Sequence, residues 1–218
     1  MTKKEIANYI DYTNLSEIAT KEDIARVCEE ANTNSFRAVC VNPKYVEYAR
    51  MCLDDMLSKV KLCTVIGYPL GENTQEIKAM EAVMAKESGA DELDMVISSS
   101  ALITGNYEYI YEEVRRVVDC TEIPVKVVFN SDIASEEQMV KLCEAIIEAG
   151  AKYICITSKT APTQEIVKSV ADMVAGVMEV KVMTNINTKD DLFDMICAGA
   201  TRVGTNSAIK IIDNFKKK

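Results

Sequence analysis

The stretch "ESGADELDMVI" (residues 87–97) closes a helical run with Gly-Ala and then enters a short apolar, strand-like run. The same pattern returns in "EAGAKYICIT" (148–157) and in "CAGATRVGTN" (197–206). Gly89, Gly150 and Gly199 fit the left-handed position just past a helix C-terminus, where a residue without Cβ carries no steric cost. A repeated helix–glycine–strand unit predicts parallel strands joined by crossover helices.

The rest of the chain keeps this rhythm. Strands are predicted at 9–13, 37–42, 62–67, 92–98, 125–130, 153–157, 180–185 and 202–206. Helical periodicity fills the intervals, most clearly at 74–88, 135–149 and 188–198. "TKEDIARVCEEA" opens on Thr20, a good N-cap. The strands are short and apolar without clean alternation, which suits a parallel sheet whose outer face is covered. Eight such units predict an α/β chain closed as a (β/α)8 TIM barrel. It is read as one domain over residues 1–218, with a short N-terminal helix before the first strand. An open doubly wound sheet is the alternative.

Composition narrows the function. The 218 residues carry a net charge of −9, and an acidic surface repels phosphate backbones, so no nucleic-acid partner is expected. No apolar run is long enough to span a membrane, and "MTKKEIANYI" reads as an amphipathic start rather than a signal peptide. The eight cysteines lack paired short spacing; they read as reduced core residues of a cytoplasmic protein. With no histidine and no Cys-x-x-Cys, no metal is expected. The absence of histidine also removes the usual general base at neutral pH. Lys216, Lys217 and Lys218 read as a solvated end.

In a barrel of this kind the chemistry gathers at the C-terminal ends of the strands. Asp11, Thr13, Asn42, Asp94, Lys126, Asn130, Lys181, Thr184 and Asn185 all lie on or just past strands, as do Gly204, Thr205, Asn206 and Ser207. Lys126, Lys181 and Asp94 stand out because apolar residues flank each one: "VKV", "VKV" and "LDM". A buried ammonium or carboxylate is costly unless paired. One reading is a structural ion cluster, or a lysine reaching to water. The other is an amine and an acid facing one cavity, able to form a Schiff base and move protons. Gly67, Pro69 and Gly71 shape a tight loop after the third strand, and "RVGTNSAIK" is either a phosphate cradle or a plain helix cap.

"AVCVNPKYV", "CTVIGYPLGENT", "GADELDMVI" and "AGATRVG", in this order, resemble the deoxyribose-phosphate aldolase family nearly end to end. The resemblance implies a (β/α)8 barrel that needs no metal or cofactor. It implies reversible cleavage of 2-deoxyribose 5-phosphate to acetaldehyde and glyceraldehyde 3-phosphate through a lysine Schiff base. Asp94 then matches the proton-relay aspartate, Lys181 the second active-site lysine, and Lys126 a further lysine. Asp11, Thr13 and Cys40 match positions around the same cavity, with Gly204, Asn206 and Ser207 on the substrate side. A phosphosugar or aldehyde is the implied small-molecule partner. The family's habit implies a homodimer, though no stretch marks an interface.

The Schiff-base lysine itself does not carry over: Cys155 takes its place. The family's Ser-Gly-Gly phosphate loop is replaced by "MTNIN" after Lys181, and the Ala-Ser-Ser of strand eight by "TNS". The loop after strand six is shorter than the family's. The strand-five glutamate is Asn130, and the histidine of the Asp-His-Thr motif is Tyr12. Losses at both ends of one substrate predict weak or absent cleavage and a binding or scaffold role. The alternative is an active class I aldolase using Lys181 as nucleophile, its pKa lowered by Lys126, with Lys159 a weaker candidate. A third reading makes Cys155 a thiol nucleophile, with no histidine to activate it. The expected site places Asp94, Lys126, Cys155 and Lys181 in one cavity near the barrel's C-terminal mouth.

Overall fold

A computed structural model describes residues 1–159, 163–184 and 186–215. Thr160, Ala161, Pro162, Asn185 and the terminal lysines lie outside the described residues, and with them the heart of the strand-six loop. The strands are β1 (Ile10–Asn14), β2 (Ala38–Val41), β3 (Lys61–Ile66), β4 (Glu92–Val96), β5 (Val125–Asn130), β6 (Tyr153–Thr157), β7 (Glu179–Met183) and β8 (Arg202–Thr205). They close in sequence order, all parallel, with β8 hydrogen-bonded back to β1. The chain is thus a (β/α)8 barrel, and the open sheet is excluded. Each observed strand lies within about two residues of its predicted span.

The helices are α1 (Lys3–Ala7), α2 (Lys21–Asn34), α3 (Val46–Asp55), α4 (Gln75–Glu87), α5 (Ser99–Thr104), α6 (Tyr107–Thr121), α7 (Glu136–Glu148), α8 (Gln164–Met173), α9 (Lys189–Cys197) and α10 (Ala208–Asp213). Thr20 caps α2 by accepting from the Asp23 amide, and Asp23 returns the bond, a capping box. Gly89, Gly150 and Gly199 hold φ of +103°, +88° and +111°, so the Gly-Ala signal marks true left-handed exits from α4, α7 and α9. At Gly199 a Cβ would also lie 2.7 Å from the Ala171 methyl.

Alternation along each strand sorts the side chains into two cores. Val39, Leu62, Leu93, Val127, Ile154 and Val182 point outward into the large core shared with the helices. Cys40, Cys63 and Val65, and separately Val96, Val128 and Cys155, form two small apolar clusters inside the barrel. The charged residues occupy the same interior set. Among the described residues, no helix is long and apolar enough to cross a membrane.

Candidate active site

Register brings the interior charges together. Asp94 pairs with Lys126, Cys155 with Lys181, and Lys181 with Arg202 across successive strand ladders. Lys181 Nζ lies 2.5 Å from Asp94 Oδ2 and 2.8 Å from Asp11 Oδ2. Lys126 Nζ lies 2.9 Å from Glu92 Oε2 and 3.1 Å from Asp94 Oδ1. Arg202 closes the ring, 2.6 Å from Asp11 Oδ1 and 2.8 Å from Glu92 Oε2. Three carboxylates thus face three cations, all buried. Asp94 Oδ1 and Asp11 Oδ2 accept no well-aligned hydrogen bond, and the ammonium groups satisfy them by charge alone.

A balanced cluster fixes its own protonation. Burial pushes the Lys181 ammonium toward losing its proton, but Asp11 and Asp94 outweigh burial and hold its pKa well above the ordinary lysine range. Lys126 is raised in the same way, with Asp94 the strongest opposing partner to burial. Against the expectation that Lys126 lowers Lys181, the carboxylates at 2.5 and 2.8 Å from Lys181 act in the opposite direction and raise it. Burial pushes the Asp94 carboxyl up, yet Lys126 and then Lys181 bring it below the usual carboxylate range. Glu92 is lowered to about 2, as Lys126 and Arg202 overcome its burial.

Cysteine sulfurs border the cluster. Cys40 Sγ lies 3.7 Å from Asp94 Oδ2, and Lys126 Nζ lies 3.3 Å from Cys63 Sγ. These two sulfurs and an Asp94 oxygen lie within 4.8 Å of one another, with the Lys126 ammonium 3.3 Å from Cys63 Sγ and the Lys181 ammonium 2.5 Å from Asp94 Oδ2. Cys155 is fully buried against Val96, Val128 and Met183. Burial raises its thiol pKa far above the ordinary value.

A cavity of 690 Å³ opens at the C-terminal mouth, and Val96, Val128 and Met183 are among its lining residues. Those three side chains pack with Cys155, and each follows an interior charged residue (Asp94, Lys126, Lys181) by two positions on its strand, one layer nearer the mouth. Asp94, Lys126, Cys155 and Lys181 therefore share the barrel interior, but none lines the cavity. Asp11 and Cys40 also lie in the buried layer. Thr13, Gly204 and Asn206 do line the cavity. Gly204 leaves room for its neighbours: a Cβ there would lie 3.0 Å from Met183 Cγ and 3.4 Å from Lys181 Cε. Ser207 stands beside the mouth, donating to Asn187 Oδ1 at 2.8 Å. Lys159 is exposed, and its amide donates to Asp132 Oδ2 at 2.8 Å.

The lip is held from outside the barrel. Gly71, at φ +74°, passes so close to Ile97 that a Cβ would fall 1.9 Å from the Ile97 carbonyl oxygen. Glu72 accepts from the Ser100 amide at 2.9 Å, tying the loop after β3 to the start of α5. Beneath it, the fully buried Lys78 pairs with Glu113 at 2.5 Å, and Glu113 accepts from the Ser98 amide at 3.0 Å. Sequence reading missed this pair, and also Glu92 and Arg202. Glu92 was recoverable, since it stands two residues before Asp94 and must share its face. Arg202 bears the same relation to Gly204. Lys78 and Glu113 gave no such signal, because charged residues on helices usually face water.

No protein-family model matches this chain. Among curated proteins, the deoxyribose-phosphate aldolase of Thermococcus kodakarensis is 42% identical, covering 98% of this chain and 98% of its own. That of Caldicellulosiruptor saccharolyticus is 40% identical, covering 97% and 99%. Among solved structures, the deoxyribose phosphate aldolase from Aeropyrum pernix, described as a unique tetramer, superposes with a TM-score of 0.92. It is 30% identical, covering 99% of this chain and 93% of that one.

Proposed function

The chain belongs to the deoxyribose-phosphate aldolase family, and from that premise we propose that it binds a small molecule in the mouth of its barrel without the family's covalent catalysis. The observation that carries this reading is Cys155. It stands at the position where the resemblance calls for the Schiff-base lysine, and it is buried beneath the cavity floor. An aldol cleavage of this type needs an amine that loses water with the substrate carbonyl to give an iminium, the electron sink for the breaking carbon–carbon bond. A thiol adds to a carbonyl only as far as a hemithioacetal, which supplies no such sink.

The other amines do not replace it. Lys181 and Lys126 have carboxylates beside them that favour the ammonium form, are fully buried, and are absent from the cavity lining. A nucleophilic amine must be unprotonated and must reach the carbonyl. Cleavage of 2-deoxyribose 5-phosphate is accordingly weak or absent. The family likeness extends the proposal to a homodimer, which light scattering checks.

Borohydride reduction in the presence of acetaldehyde, followed by peptide mapping, tests the proposal. No barrel lysine should be labelled stoichiometrically. Stoichiometric capture at Lys181 would establish the active-aldolase reading instead.

A further inference from the structure

A second cavity, of 450 Å³, lies at the other end of the barrel. Asn8 stands just before β1, Arg37 just before β2, and Lys61 opens β3, so this cavity sits at the N-terminal ends of the strands, away from the mouth. Arg37, Lys59 and Lys61 line it, and among the described residues no aspartate or glutamate does. That inverts the balance of a chain with 34 acidic and 25 basic residues. Lys61 has only a distant partner, Asp91 at 3.6 Å, which Arg50 shares at 3.4 Å. Among the described residues Arg37 and Lys59 have no ion-pair partner. The backbone holds Arg37 and Lys61 side by side. The Arg37 amide donates to the Ala7 and Ile10 carbonyls at 3.1 and 3.0 Å, and the Arg37 carbonyl accepts from the Lys61 amide at 3.1 Å.

One effect opposes an anion here. Helices α2 and α3 end beside the cavity, and a helix C-terminus carries about half a negative charge. Capping amides engage part of it: the Phe36 amide donates to the Ala31 carbonyl at 3.0 Å, and the Ser58 amide to the Leu53 carbonyl at 2.9 Å. Three full positive charges outweigh two partial negative ones. The two helix exits are themselves costly. Ser35 and Leu57, at φ +55° and +49°, both line the cavity in the left-handed region where Gly or Asn is usual. Leu57 is also 90% exposed, so a bulky apolar side chain is held in a strained conformation with almost no packing in return. Asn8 and Asn32 add neutral amides to the lining. The volume exceeds what a bare inorganic anion fills and falls within the range of small organic ligand sites.

We infer that this cavity is a binding site for a small organic phosphomonoester. Its phosphate meets Arg37, Lys59 and Lys61, with the Arg37 fork suited to two oxygens at once. A phosphomonoester brings close to two negative charges and three acceptor oxygens to these three cations, where a carboxylate brings one charge and two oxygens. The organic body covers Leu57 and hydrogen-bonds with Asn8 and Asn32. None of these residues lines the mouth, so the site goes beyond the proposed function and does not depend on it.

Calorimetric titration of the whole chain, above about pH 7 where the phosphate is doubly ionised, tests it. The probes are adenosine 5′-monophosphate, adenosine, inorganic phosphate and succinate. The monophosphate should bind about tenfold or more tightly than each of the other three, and should weaken as salt is raised. Arg37→Gln combined with Lys59→Gln removes two exposed cations that have no partner to lose, so the fold should stand, as urea unfolding checks. In that variant the monophosphate should bind about tenfold or more weakly. Leu57→Gly relieves the strained φ, so the chain should be at least as stable while the monophosphate binds several-fold more weakly. No binding of the monophosphate overturns the inference. So does binding that is unchanged in the Arg37 and Lys59 double variant, which would place the nucleotide elsewhere. Equal affinity for adenosine or succinate overturns the choice of a phosphomonoester. Equal affinity for inorganic phosphate, or an unaffected Leu57→Gly variant, overturns the organic body. Borohydride capture at a barrel lysine bears on the mouth alone and leaves this site untouched.

Discussion

Cys155 lies opposite Lys181 across the β6–β7 ladder, so a thiol and an ammonium share the barrel interior one strand apart. Both are fully buried, and the ammonium is engaged by Asp94 and Asp11. Closeness to a cation usually lowers a thiol's pKa, but burial dominates here and keeps Cys155 protonated. In the native protein, iodoacetamide should modify the exposed Cys120 and Cys197 first and leave Cys155 untouched until unfolding. Peptide mapping over time reads the order. Alkylation of native Cys155 as fast as Cys197 would revive the thiol-nucleophile reading.

The same cluster sets the response to acid. Glu92 and Asp94 have folded pKa values below their unfolded ones. Their stabilisation is complete above the unfolded carboxylate pKa, about 4, and is lost as pH falls through the folded values. For Glu92, at about 2, the loss is on the order of 3 kcal/mol. Lys126 and Lys181 have raised pKa values, so their contribution is complete below the unfolded lysine pKa of about 10 and is lost only above it. With no histidine in the chain, the cluster contributes a flat plateau from about pH 5 to 8. Calorimetric Tm values across pH check this; a main loss of stability centred near neutrality would contradict it.

The fold was legible because the Gly-Ala exits recur in phase with the strands, and a closed parallel barrel is the natural way to bury eight of them. The candidate site was legible only in its identities. Asp94, Lys126 and Lys181 announced themselves by standing alone in apolar runs, and alternation put them inside. Their depth did not show. Whether a strand residue meets the cavity or lies a layer beneath it depends on how Val96, Val128 and Met183 pack across three strands. No local pattern encodes that. Lys78 and Glu113 were hidden for a related reason, because their pairing joins two helices far apart in the chain.

Charge balance predicts a non-additive double mutant. Asp94→Asn leaves Asp11 and Glu92 facing Lys126, Lys181 and Arg202, one buried positive charge in excess. That should cost about 3–5 kcal/mol in urea unfolding. Asp94→Asn with Lys181→Met restores two carboxylates against two cations. The double variant should lose clearly less than the sum of the two single variants. Additive losses would mean that Asp94 and Lys181 are not energetically coupled, despite their 2.5 Å separation.

At the Gly71 lip, Gly71→Ala sets a new methyl against the Ile97 carbonyl and strains a positive φ. The loop carrying Tyr68, Pro69, Leu70 and Glu72 must shift, and those residues line the cavity. Barrel stability should drop by only about 1–2 kcal/mol in urea unfolding, since the strain sits in the lip. A loss well beyond that would show that the strain reaches the barrel strands.

A lysine at position 155 alone should give little cleavage of 2-deoxyribose 5-phosphate. Cys155→Lys sets a longer, charged side chain among Val96, Val128 and Met183, next to Lys181. The cluster already balances its charges, so the new ammonium has no free carboxylate, and stability should fall by about 3–5 kcal/mol unless the amine is neutral. A neutral amine is the nucleophilic form, and nearby Lys181 would help depress its pKa. The obstacle is access, because Cys155 packs among Val96, Val128 and Met183 and is not among the cavity's lining residues, and "MTNIN" stands where the family's phosphate loop would. Grafting Ser-Gly-Gly over Met183, Thr184 and Asn185 removes the Met183 side chain from that packing. It also returns the family's small phosphate loop; Asn185 itself lies outside the described residues. Remote binding energy then helps position the reacting carbon. Cleavage of 2-deoxyribose 5-phosphate should therefore stay near background in Cys155→Lys and rise mainly when the graft is added. Strong activity in the single variant would show that the phosphate grip is intact and that the floor opens in solution. Strong activity in the unmodified chain would refute the proposed function outright.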